Sequence, residues 1–169
     1  MTIRPERPAE FPAIYELVKD AFATAPHADG DEQDYVNTLR ETERYLPALA
    51  LVAEDAEGTL IGHIMLTETK LTHAGGGLTG LLLSPLCVAL PQRRAGLGAA
   101  LVKESFRLAK GDYSAVFVVG DPAYYARFGF RPASEFGIAN EGDIPPQYVM
   151  ACELIPDALR GKSGTIRVI

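Results

Sequence analysis

Apolar side chains near the start of the chain recur with the helical period of about 3.6 residues. A short strand, TIRPE at 2–6, precedes a helix whose inward face would carry Phe11, Ile14, Tyr15, Val18, Ala21 and Phe22. The acidic segment HADGDEQDY at 27–35 then leads into a second helix with Tyr35, Val36 and Leu39 inward. The pattern predicts one strand followed by two amphipathic helices.

The period then changes to that of β-strands. Segments 48–55 and 59–71 are rich in Leu, Ile and Val, and the turn AEG between them predicts a hairpin. Four glycines within 73–80 predict a flexible connection. The run LLLSPLCVAL at 81–90 predicts a third consecutive strand.

The second half alternates helices with strands. A helical stripe covers 98–110, and the apolar run SAVFVVG at 114–120 predicts a buried strand parallel to the one before the helix. Asp121 and Pro122 are typical of an N-cap and first helical position, and Gly129 would end that short helix. FRPA and then QYVMACELIP at 147–156 predict the last strands. The fold class is therefore α/β or α+β, with a mixed sheet.

Length and composition indicate one domain over residues 1–169. The net charge of -6 argues against a nucleic-acid-binding protein, which needs a broad basic face. The longest apolar run is too short to span a membrane, and the N-terminus lacks the apolar centre of a signal peptide, so we expect a cytoplasmic protein. Cys87 and Cys152 lie in strand-like runs and are expected to be buried thiols.

The stretch QRRAGLG, Gln92 to Gly98, lies between a strand and a helix. Such a junction offers unpaired amides and the positive end of a helix dipole, where anions bind. It has neither the Lys-Ser or Lys-Thr of a P-loop nor the third glycine of a dinucleotide fingerprint. A phosphate site and an ordinary tight turn both remain open from this stretch alone.

Pro85 interrupts the preceding strand. Since proline donates no ladder hydrogen bond, the strand is expected to bulge there and to diverge from the parallel strand SAVFVVG. Such an opening exposes backbone groups with which an extended ligand can pair. Next to an anion site, this arrangement suits a molecule with phosphates and an amide-bearing arm, such as coenzyme A.

Two motifs now point to a family. PLCVALPQRRAGLGAALV resembles the acetyl-CoA-binding segment of the GNAT N-acetyltransferase superfamily, whose [RQ]xxGx[GA] signature is matched by Arg93, Gly96 and Gly98. DPAYYARFGF at 121–130 resembles the family's second hallmark, and the small bacterial "predicted acetyltransferase" branch is most similar. The resemblance implies a mostly antiparallel sheet of about seven strands, helices on both faces, and splayed fourth and fifth strands.

The resemblance also implies a site. Acetyl-CoA would be the cosubstrate, with no metal, and its pantetheine arm would pair with the backbone of Leu86, Cys87 and Val88, the Val88 N–H polarising the acetyl carbonyl. The pyrophosphate would lie on the amides of a contiguous run, with the two arginine side chains near the phosphates. That run is Arg93, Arg94, Ala95, Gly96, Leu97, Gly98 and Ala99.

In the family, a tyrosine four residues before the glycine of the Gly-Phe pair often protonates the departing thiolate, and that position is Tyr125 here. No strand acid matches the family's usual base. Glu68, or a water chain past Ser84, is a possible substitute, whereas His63 is expected to be a half-buried strand residue. The family's asparagine after the fifth strand is replaced by Asp121-Pro122.

The expected acceptor is a primary amine of a small molecule or peptide. Acidic residues before the second helix, Asp29, Asp31, Glu32 and Asp34, could attract it or could simply cap the helix. A longer acyl group, a catalytically silent CoA-binding module and a glycine loop that binds nothing remain alternatives. Relatives are often dimers, so a homodimer is possible; no nucleic-acid or membrane partner is expected.

Overall fold

The helical and strand periods of the sequence become four α-helices and nine strands in the computed structural model, which describes residues 1–26 and 28–168. The helices are α1 (Phe11–Phe22), α2 (Glu32–Arg40), α3 (Leu97–Ala109) and α4 (Pro122–Tyr125). The strands are β1 (Thr2–Pro5), β2 (Ala50–Glu54), β3 (Leu60–His73), β4 (Gly76–Val88), β5 (Ala115–Val119), β6 (Arg131–Pro132), β7 (Ile138–Asn140), β8 (Val149–Glu153) and β9 (Gly164–Ile166). No helix in this described part of the chain is long and apolar enough to cross a membrane.

The first compact unit comprises residues 1–66 and 85–108. In it β1 pairs antiparallel with β2, and β2 pairs antiparallel with the first half of β3. Helices α1 and α2 cover one side of these strands with an apolar core of Ile14, Val18, Ala21, Val36, Leu39, Ala50, Val52, Met65 and Cys87. On β3, Gly62 lets α3 approach closely, since a Cβ there would be 2.9 Å from Leu101 Cδ1.

The second compact unit comprises residues 67–84 and 109 onward. Here β4 pairs parallel with β5, and β5 pairs antiparallel with β8, which also pairs antiparallel with β6. Strand β9 joins β3 antiparallel and β7 parallel. The core of the second unit consists of apolar side chains from β3, β4, β5, β7, β8 and β9 and from the segments between and after them: Leu71, Leu82, Ala115, Phe117, Ala133, Ile138, Val149, Ala151, Leu159, Ile166 and Val168.

The predicted mixed α/β fold class is confirmed, and three local expectations were wrong. Residues 73–80 are not a flexible connection, because β3 runs to His73 and β4 already begins at Gly76. Segment 147–156 is not the last strand, because β9 follows β8. Strands β7 and β9 were missed because each has three residues, too few to show a period.

A buried polar cluster connects four segments of the first unit around Glu6. Its carboxylate accepts two hydrogen bonds from Arg40 of α2 at 2.9 Å, one from the Tyr45 hydroxyl at 2.7 Å, and lies 2.9 Å from His63 Nε2. The side chains of Glu6 and His63 are fully buried. Burial alone would raise the pKa of Glu6, but the bonds from Arg40, His63 and Tyr45 outweigh it and lower the pKa to about 2.

This cluster predicts an acid-sensitive contribution to stability. Glu6 is ionised in the folded state down to about pH 2, whereas its ordinary pKa is 4.5, so its stabilisation is complete above pH 4.5 and is lost as the pH falls towards 2. We expect Glu6→Gln to lower the unfolding free energy by about 3 kcal/mol at pH 7. The same variant should lose less stability than wild type between pH 4.5 and 2. Urea titrations at pH 7, 5 and 3 measure both effects, and the exposed Glu57→Gln is the control; equal acid sensitivity in wild type and Glu6→Gln would contradict the prediction.

Candidate functional site

In the second unit, the parallel pairing of β4 with β5 is short. It comprises Leu81 with Val116, Leu82 with Phe117 and Leu83 with Val118. It stops directly before Ser84 and Pro85, where the missing proline N–H breaks the ladder. Strand β5 continues its pairing on the other side, because Val119 remains opposite Val149 of β8. On the side of β5 that faces β4, Val119 is therefore not paired with any described residue.

In the first unit, the end of β4 alternates between buried and half-buried residues. Cys87 is buried, whereas Leu86 and Val88 on either side of it are half-buried. The chain leaves β4 at Ala89, whose amide donates to the Ile61 carbonyl at 2.9 Å. The backbone of Leu86, Cys87 and Val88 is thus held along one edge by β3, and its other edge is the one that would pair with an extended ligand.

The loop after β4 is built to present amides. Gln92 and Arg93 donate back to Ala89 and Leu90, and the first helical bond of α3 runs from Ala100 to Gly96. Between these bonds lie six consecutive amides, Arg94 to Ala99, from which no described residue accepts a hydrogen bond. Arg94 has φ 64° and Gly96 has φ 85°, so both adopt the left-handed backbone conformation. Unpaired amides at the N-terminus of a helix are a favourable place for an anion to bind.

The two arginines of this loop behave differently. The Arg93 guanidinium donates to the carbonyls of Val88 and Ala21 and to the Thr24 hydroxyl, at 3.1, 2.6 and 3.2 Å. The Arg94 side chain is exposed and has no hydrogen bond to a described residue. Of the pair expected near phosphates, only Arg94 therefore has a guanidinium that is free to reach a ligand.

Cys87 is a structural thiol. Its side chain is 5% exposed, and burial raises the pKa of the thiol to about 12. At neutral pH such a group is almost entirely protonated, so it is a poor nucleophile. Cys152 is also a free, buried thiol. Both agree with the expectation from their positions in apolar strands.

Tyr125 lies in the second unit at the end of α4. The helix starts at Asp121, whose carboxylate caps the Ala123 amide at 3.0 Å, as the sequence predicted. The Tyr125 ring packs edge-on against Phe130, with centroids 5.6 Å apart. Burial raises the pKa of its hydroxyl well above the ordinary value of 10.0, and the neighbouring Tyr124 raises it further. The phenol is therefore held in its protonated form.

Gly120 is a site residue that the sequence pattern did not reveal. A Cβ at this position would lie 2.3 Å from Tyr125 Cε2 and 2.7 Å from Cδ2. The aromatic ring therefore rests directly on the backbone at the end of β5. The only sequence signal is a glycine directly after a strand and five positions before the tyrosine, which is too common to identify such a contact.

Most of the other predicted polar side chains form hydrogen bonds within the described part of the protein, whereas two acidic side chains do not. Glu68 accepts a hydrogen bond from the Tyr113 hydroxyl at 2.5 Å. His63 is fully buried rather than half-buried, with Nε2 on Glu6. In the acidic segment, Glu32 accepts from the amides of Asp29 and Gly30, and Asp34 accepts from Tyr15. Asp29 and Asp31 remain exposed, and His27 lies outside the described residues.

Comparisons with known proteins agree on one family. The family model described as "Acetyltransferase (GNAT) domain" matches residues 2–133. The chain is 33% identical over 167 residues to the uncharacterized N-acetyltransferase YhbS of Escherichia coli K12, covering 98% of this chain and 95% of YhbS. A crystal structure of E. coli YhbS in complex with CoA aligns with TM-score 0.86 and 31% identity over 98% of this chain and 88% of that one. A GNAT family acetyltransferase from Brucella melitensis in complex with acetyl-CoA aligns with TM-score 0.77 and 25% identity over 98% and 93%.

Because Gly120 contacts Tyr125, a methyl group added at Gly120 should lower the stability of the protein, whereas one added at an open glycine should not. Gly120→Ala should displace the Tyr125 ring and cost about 2 kcal/mol of unfolding free energy, because the new Cβ overlaps ring atoms. Gly111→Ala is the matched control, since a Cβ there meets nothing within 4 Å. Thermal unfolding gives the stability change, and the NMR shifts of the Tyr125 ring protons report its position. Unchanged ring shifts in Gly120→Ala would show that the contact is not as described.

Proposed function

The chain belongs to the GNAT acetyltransferase family, as its two sequence motifs predicted, and we propose that it transfers the acetyl group of acetyl-CoA to a primary amine of a small molecule or peptide. The observation that carries the proposal is the run of six unpaired amides at the start of α3. The similar solved structures hold CoA and acetyl-CoA, whose pyrophosphate is the kind of anion that such a run binds. The proposal treats residues 1–169 as one acetyltransferase domain in the cytoplasm.

In this proposal, backbone groups provide most of the contacts to acetyl-CoA. The amides of Arg94, Ala95, Gly96, Leu97, Gly98 and Ala99 bind the pyrophosphate, and the free guanidinium of Arg94 adds positive charge. The amide of Arg93 already donates to the Leu90 carbonyl, so it stabilises the loop and does not donate to the pyrophosphate. The free edge of Leu86, Cys87 and Val88 pairs with the pantetheine arm, and the Val88 N–H polarises the acetyl carbonyl.

The reaction itself is a direct transfer. The lone pair of a neutral amine attacks the thioester carbonyl carbon, a C–N bond forms, and the C–S bond breaks as the tetrahedral oxyanion collapses. Tyr125 donates its phenolic proton to the departing thiolate, and the proton lost by the amine passes to water. The Tyr125 hydroxyl carries its proton at neutral pH and can therefore donate it; burial raises its pKa further, which makes it a weaker acid in the free protein.

The acceptor class follows from charge. Asp29 and Asp31 are exposed carboxylates in the segment between α1 and α2, and neither carries a side-chain hydrogen bond to a described residue. They can attract an ammonium group, which loses its proton before it attacks. Glu32 and Asp34 do not contribute to this attraction directly, since both stabilise the start of α2 and its packing on α1.

The proposal is tested by binding and turnover together. We expect calorimetry to show CoA binding, and thiol release from acetyl-CoA to appear with at least one member of a panel of amines and peptides. Binding without turnover on any amine would favour a silent CoA-binding module. No CoA binding at all would contradict the proposed function.

The acid role of Tyr125 predicts a split between two measured quantities. Tyr125→Phe should lower kcat by about a hundredfold while leaving the Kd for CoA nearly unchanged, because only the proton donor is removed. Tyr124→Phe is the matched control, since it removes a hydroxyl from the adjacent ring and should leave kcat near the wild-type value. Equal kcat for Tyr125→Phe and wild type would exclude Tyr125 as the acid.

A further inference from the structure

The Arg93 side chain joins three segments of the first unit that carry the two sides of the proposed reaction. Its Nε donates to the carbonyl of Val88, at the end of the strand proposed to bind the pantetheine arm. Its Nη2 donates to the carbonyl of Ala21 in the last turn of α1, and its Nη1 donates to the Thr24 hydroxyl. Thr24 begins the connection from α1 to α2, which contains the exposed Asp29 and Asp31.

The bond to Ala21 has an electrostatic consequence. The last carbonyls of a helix have no intrahelical partner and form the negative end of its dipole. The C-terminus of α1 therefore lies beside the loop that we propose binds a pyrophosphate, and without compensation it would repel that anion. A guanidinium on the Ala21 carbonyl neutralises this end of α1 and satisfies one of its free acceptors.

We propose that Arg93 is a positioning residue, which fixes the end of β4 and the end of α1 against each other and so links the cofactor strand to the acceptor-side segment. This inference rests on the proposed function. It differs from a phosphate-binding role, because three of the five N–H donors of Arg93 are bonded within the protein. A residue of this kind prepares the site before any phosphate arrives.

Two ligands distinguish positioning from phosphate binding. CoA carries phosphates and pantetheine does not, yet both would pair with the backbone of Leu86 to Val88. Arg93→Ala should weaken the binding of pantetheine roughly tenfold, as expected for the loss of one to two charge-assisted hydrogen bonds, and the binding of CoA by at least that factor, because CoA also meets the uncompensated end of α1. Arg94→Ala should weaken the binding of CoA and leave the binding of pantetheine unchanged. Arg107→Ala, which removes an exposed charge of α3 that pairs with Glu104, should change neither affinity.

The ligand-free protein gives an independent readout. Amide hydrogen exchange at residues 22–25 should accelerate in Arg93→Ala without any ligand, because the tether to Ala21 and Thr24 is lost. Arg93→Lys keeps the charge but not the planar fork, and Thr24→Val removes one acceptor, so both should show the same pattern with smaller amplitude. These two variants carry the test if Arg93→Ala does not fold.

The outcomes separate this inference from the proposed function. Titrations followed by NMR with CoA and with pantetheine give the two Kd values for each variant. The positioning role would be overturned if Arg93→Ala raised the Kd for CoA only, or raised neither Kd. Either result would leave the proposed function intact. Failure of the wild-type protein to bind either molecule would instead overturn the proposed function.

Discussion

A helix that starts without a side-chain cap needs acceptors from elsewhere, and this constraint governs the loop between β4 and α3. The amides from Arg94 to Ala99 have no described acceptor, so at rest they depend on water, and an anion with several oxygens satisfies them together. The left-handed conformations of Arg94 and Gly96 have no other evident use in the turn. The packing of α3 on the core is provided by residues such as the buried Leu97, so the unpaired amides of the loop are the feature on which the proposed pyrophosphate site rests.

Two sets of polar interactions stabilise the first unit, to which this loop belongs. Arg93 compensates the C-terminus of α1, and the Glu6 cluster joins α2 to β3. The side chains of Glu6, Arg40 and His63 are buried, and their cluster is stabilising only while all partners are present, whereas the Arg93 side chain is exposed. The first unit thus combines an apolar core with a few buried charged contacts that fix the directions of its helices.

The second unit positions its proposed acid by close packing instead. Gly120 provides a surface without a side chain, and Tyr124, Phe128 and Phe130 pack edge-on against the Tyr125 ring. Burial raises the pKa of the hydroxyl, so the same packing that orients the ring also changes its proton affinity.

The sequence by itself determined whatever depends on near neighbours in the chain. The helices α1, α2 and α3, the Asp121-Pro122 cap and the glycine loop at 92–98 all follow from residues a few positions apart, and the helix predicted at 98–110 is α3, Leu97–Ala109. The GNAT family followed from two such local motifs and was confirmed by comparison.

Only the tertiary structure decided what depends on residues far apart in the chain. Glycines at 75–80 look like a loop locally, yet most of them lie in β4, where Gly80 lies against Phe117. The bonds of Arg93 to Ala21, 72 positions away, and of Glu6 to His63, 57 positions away, leave no periodic trace. A local pattern reports which backbone conformation a segment favours, whereas the partner of a buried charge is chosen by the packing of the whole unit, because only there does its desolvation have to be compensated.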